Sequence, residues 1–63
     1  MTEYLRFGEV ELKLETAQAR CFKIDGQVLW CPKKNHKWYP SVENRKMGTL
    51  EAQEWWARKN NLL

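Results

Sequence analysis

Eight consecutive residues, Lys33-Lys34-Asn35-His36-Lys37-Trp38-Tyr39-Pro40, carry the densest chemistry in this chain: three cations, the only histidine and two large aromatics. Lysine ammonium groups neutralise phosphates, and an exposed ring beside them offers a face on which an unpaired base stacks, for about 1–3 kcal/mol per base. The same rings serve as anchors in protein interfaces. A blander reading is a solvated lysine loop whose Trp38 turns into the core. Arg45-Lys46 and Arg58-Lys59 extend the patch if this segment folds toward a C-terminal helix, although dipole compensation and solubility also account for them.

Cys21, Cys31 and His36 raise the question of a metal. Zinc takes four ligands in tetrahedral array at closer spacing than Cys-x9-Cys-x4-His, and only Asp25 or Glu43 offers a fourth. Reduced thiols used as small apolar strand residues are the simpler account. A Cys31–His36 pair lacks an orienting third group and a Gly-rich turn for an oxyanion. Chains of this length rarely enclose a pocket of the roughly 300–1,000 Å³ typical of ligand sites. The expectation is a non-enzymatic protein with no metal, no cofactor and no small-molecule substrate.

The elements that must hold these residues follow from periodicity. Glu9-Val10-Glu11-Leu12-Lys13-Leu14-Glu15 alternates, which predicts a half-buried strand over 8–15 with Val10, Leu12 and Leu14 inward. Phe7 has the opposite parity, and Gly8 between them marks a bulge or bend. Asp25-Gly26 predicts a hairpin over 19–31. A two-residue turn puts Cys21 and Cys31 on opposite faces; a three-residue loop puts them on one face. Pro32 ends the strand or confines it to an edge. Residues 32–48 read as a basic loop, with room for a short strand at Lys37–Tyr39 or a helical turn at Ser41–Asn44. Thr49 as N-cap and Glu51 in the first turn predict a helix over 49–60, with Trp55 on the sheet and Trp56 half-covered at its edge. The fold class expected is α+β: a three-stranded antiparallel sheet, ordered β-β-β-α, with one C-terminal helix on one face.

Sixty-three residues make one small domain, 1–63, whose eight aromatics must supply much of a marginal core. Residues 1–16 carry a net charge of −2 and residues 17–63 carry +5, which together give the overall +3. The basic second half points to an acidic partner. No apolar run approaches membrane-spanning length, and Met1–Glu3 does not open a signal peptide, so the expected location is the cytoplasm of the host cell.

Four motifs carry a resemblance: Glu15-Thr16-Ala17-Gln18-Ala19, Ile24-Asp25-Gly26, Trp30-Cys31-Pro32-Lys33, and Glu54-Trp55-Trp56-Ala57-Arg58-Lys59-Asn60-Asn61-Leu62. Residues 10–63 are similar to short phage and prophage open reading frames of the type E-T-x-x-A, I-D-G, W-x-P-K, E-W-x-x-x-K-x-x-L. Arg20 and Cys21 stand where aliphatics are usual, and the lysine-rich loop is extra. The resemblance implies a small accessory protein of a phage or mobile element that binds DNA or RNA, or binds and modulates a host or phage protein. It brings no site residues with it.

These readings converge on a binding module. Weak, low-specificity nucleic-acid binding is expected through Lys33, Lys34, Lys37, Trp38, Tyr39, Arg45 and Lys46. The alternative is a protein partner held through Trp38 or Trp56, and the chain is expected to be a monomer or weak homodimer.

Overall fold

The computed structural model describes residues 3–63. Tyr4–Glu15 forms one long strand, β1, because its apolar residues keep to a single face once two bulges are counted. Leu5 and Phe7 point inward; Gly8 and Glu9 then leave the ladder, Glu9 at φ +53°, and Val10 and Leu12 resume the inward set on the opposite parity. A second irregularity at Lys13 turns Leu14 outward, where it is 62% exposed. Leu14 therefore does not join Val10 and Leu12 in the core, against the alternation expectation.

Ala19–Ile24 (β2) and Gln27–Pro32 (β3) form the expected hairpin, with positive φ at Asp25 and Gly26. The register is the two-residue one: Phe22 opposes Leu29, Cys21 opposes Trp30 and Arg20 opposes Cys31. Both cysteines are free and buried, on opposite faces.

The rest of the chain overturns the three-stranded α+β expectation. Lys33–Asn35 makes one 3-10 turn, His36–Pro40 is β4 and Met47–Gln53 is β5, leaving only Glu54–Lys59 as the helix α1. The molecule is mostly β: one five-stranded antiparallel sheet in the order β3-β2-β1-β5-β4, plus a short C-terminal helix. Residues 49–53 carry a strong cap signal at Thr49. They also alternate, with Leu50 and Ala52 buried and Thr49, Glu51 and Gln53 on the other face. The vacant place between β1 and β4 decides the matter, because a central strand satisfies both rows of its backbone groups.

The sheet curls onto itself. Two strands, β1 and β5, separate β2 from β4, yet Phe22 of β2 packs on Trp38 of β4 with ring centroids 4.9 Å apart. His36 meets Phe22 edge-on at 5.2 Å. Gly48 sits where this curl brings β4 close: a Cβ there would lie 2.3 Å from the Tyr39 carbonyl oxygen. The helix then plugs the core with Trp56, 3% exposed, whose indole N–H donates to the Trp30 carbonyl at 3.1 Å. Trp55 is the exposed neighbour, so the two tryptophans exchange their expected places. Asn61 at φ +61° ends α1; the Leu62 and Asn61 N–H groups bond the Ala57 and Arg58 carbonyls, and Leu62 folds back on the core.

Candidate functional site

Strand alternation in β4 separates the two aromatics of the basic segment. His36 and Trp38 point inward opposite Ala52 and Leu50; Lys37 and Tyr39 point outward opposite Glu51 and Thr49. Trp38 is thus part of the core packing, and Tyr39, 50% exposed, is the ring this segment presents.

The registers of β1, β5 and β4 place the outward residues in rows. Arg6, Glu51 and Lys37 make one row, with Tyr4 and Gln53 on one side of it and Thr49 and Tyr39 on the other. Arg6 donates to the Glu51 carboxylate at 3.0 Å, which neutralises that acid. Lys37 Nζ stands 4.9 Å from the centroid of the Tyr4 ring, in cation–π range. Trp55, at the start of α1, continues the aromatic surface, its indole N–H donating to Gln53 Oε1. Tyr4 and Trp55 were not legible as site residues, because neither lies in a basic run and their face exists only once β1 and β5 pair.

The remaining expected site residues divide. Lys34 is exposed on the 3-10 turn before β4, and Arg45 and Lys46 are exposed in the loop after it. That loop is shaped by Asn44, whose carbonyl accepts the Met47 N–H at 2.9 Å and whose Oδ1 accepts the Lys46 N–H at 3.1 Å. Lys33 is committed elsewhere, with Nζ 2.7 Å from Glu15 Oε2. Trp56 lies in the core and offers no anchor.

Lys33 and Glu15 belong to a polar cluster at the junction of β3 and β4. Arg20 Nη1 donates to His36 Nε2 at 3.2 Å, and His36 Nδ1–H donates to the Pro32 carbonyl at 2.8 Å. This pairing specifies the neutral imidazole. Burial lowers the His36 pKa from its ordinary value, the Pro32 hydrogen bond opposes that shift, and the Arg20 charge adds to it. The Lys33 hydrogen bond, aided by the Arg20 charge, holds the Glu15 carboxyl below its ordinary value against the effect of burial. Cys31 is pushed up to about 12 by burial, so it is a thiol and a poor nucleophile. Among the described residues no three His, Cys, Asp or Glu side chains gather in a way that could hold a metal ion.

A second exposed surface lies on the outer face of β1, β2 and β3. Leu14 and Trp30 both oppose Cys21, and Val28 opposes Lys23 one row away. Leu14, Val28 and Trp30 are all exposed. Among the described residues no helix is long and apolar enough to cross a membrane. Set against protein-family models, curated proteins and solved structures, the chain has no match.

Proposed function

We propose that this chain is a non-enzymatic binding module that holds single-stranded nucleic acid along β4, weakly and with low sequence specificity. One observation carries the reading. Lys37 and Tyr39 are exposed on one face of an edge strand, with Lys34 exposed before it and Arg45 and Lys46 exposed after it. An extended strand of five residues spans roughly 17 Å. Cations at both ends and a ring between them suit a short run of phosphates with one base stacked on Tyr39. A duplex hides its base faces, so a stacking ring favours unpaired strands. The charge balance of the outer face, with Arg6 tied to Glu51, keeps the affinity modest.

Fluorescence anisotropy with labelled single-stranded oligonucleotides at low salt tests this. Lys34→Ala with Lys37→Ala is expected to weaken binding and flatten the salt dependence by about 0.7 log units per lost phosphate contact. Undetectable binding, or an unchanged salt slope in the double variant, overturns the reading.

A protein partner is the second reading, favoured by the exposed apolar group Leu14, Val28 and Trp30, the kind of surface that marks interaction sites. Capture from nuclease-treated lysate separates the two, since a partner retained after digestion is held by protein contacts. Either activity fits an accessory protein of a phage or mobile element. The free, buried thiols fit a reducing cytoplasm.

A further inference from the structure

Beside Tyr39 lies a groove of about 640 Å³, walled by Glu9, Tyr39, Thr49, Val42 and Met47, with Gly48 in its lining. Glu9 reaches this groove because of the bulge in β1: at φ +53° it takes a backbone conformation that few non-glycine residues adopt, and bulges re-aim side chains in this way. Among the described residues Glu9 has no ion-pair partner, unlike Glu11, Glu15, Glu51 and Glu54. Val42, an apolar residue 99% exposed, stands at the same groove and packs on nothing.

A planar ligand fits this set of groups. Tyr39 gives it a stacking face and Val42 and Met47 an apolar contact. A carboxylate accepts two parallel N–H donors and repels phosphate. Two planar groups present such an edge: guanine, through N1–H and its amino group, and the guanidinium of an arginine. The surroundings choose between them. Lys37 shares the outward face of β4 with Tyr39, and the exposed Arg45 and Lys46 directly precede Met47 in the chain, which disfavours a basic peptide and favours a base carried on an anionic strand.

We infer that this groove is a base pocket that selects guanine, with Tyr39 stacking the ring and the Glu9 carboxylate accepting from its Watson–Crick edge. The inference rests on the nucleic-acid reading above and adds base selectivity to it.

The test uses short uridine oligonucleotides carrying one central guanosine, inosine or adenosine, titrated against the wild type and Glu9→Gln. Inosine keeps N1–H and lacks the amino group. The wild type is expected to bind the guanosine strand roughly ten-fold more tightly than the inosine or all-uridine strand. In Glu9→Gln that preference is expected to vanish while uridine binding stays the same or tightens. Glu9 is exposed, so the variant keeps its fold, which circular dichroism checks. Equal affinity for all strands in the wild type, or a guanosine preference that survives Glu9→Gln, overturns the pocket and leaves the nucleic-acid reading standing. Binding to no strand overturns both. Tight capture of an arginine-rich peptide that depends on Glu9 assigns the groove to a protein partner and overturns the pocket.

Discussion

Tyr39→Ala removes an exposed ring and no core contact, whereas Trp38→Ala, one residue earlier, opens a hole beside Phe22. The first change is expected to cost about 1–3 kcal/mol of single-strand affinity with the melting temperature unchanged. The second is expected to cost about 3 kcal/mol of stability, read from urea midpoints. A binding loss in Tyr39→Ala that tracks a fall in stability would contradict this division. Glu9→Gly relieves the left-handed backbone of a non-glycine residue and is expected to raise stability by about 1 kcal/mol while abolishing guanosine preference. Gly48→Ala works the other way, since its Cβ would collide with the Tyr39 carbonyl; a loss of about 1–3 kcal/mol is expected, measured by thermal melts. His36 gives a pH dependence. Its folded-state pKa lies below the ordinary 6.5, so the unfolded chain takes up the proton first. Stability is therefore full above about pH 6.5 and is lost as pH falls through the folded-state value. In His36→Gln this loss below about pH 6.5 should disappear, leaving only the carboxylate losses at lower pH.

At the scale of elements, the hairpin was legible because Asp25-Gly26 satisfies the turn locally, and the bulge in β1 was legible in the parity break between Phe7 and Val10. One element was legible only as an option and one was not legible. Residues 36–40 alternate over only five positions inside a lysine-rich run, so a strand at Lys37–Tyr39 competes there with a plain loop. Residues 49–53 offer both a capping threonine and an alternating pair, Leu50 and Ala52, and the choice is made by partners far along the chain. With β5 unseen and β4 only an option, the outer face that unites Tyr4, Lys37, Tyr39 and Thr49 was invisible, although Lys37 and Tyr39 stood out by composition alone. The short helix makes its own prediction. Trp56→Phe keeps most of the buried ring and deletes the indole donor to Trp30, so it is expected to cost about 1 kcal/mol or slightly more from urea midpoints. Trp56→Ala should leave little folded protein.

For the molecule as a whole, a small curled sheet gives a marginal core, so single changes in it register as unfolding before they register as altered binding. The strand order leaves two edges, β3 and β4, and they are not equivalent. The two-residue hairpin turns the backbone groups of Val28, Trp30 and Pro32 outward on β3. There the Trp30 carbonyl is taken by the Trp56 indole, the Pro32 carbonyl by His36, and Pro32 has no N–H to give. The outward groups of His36 and Trp38 on β4 carry no such guard among the described residues. Growth by strand addition needs two open sides per subunit to propagate, and here β4 is open while β3 offers only the Val28 groups and the Trp30 N–H. Two copies that meet β4 to β4 consume the two fully open sides. Self-association at high concentration should therefore favour a pair, and Trp56→Phe combined with His36→Gln, which frees the rest of the β3 side, should let it run on to larger assemblies.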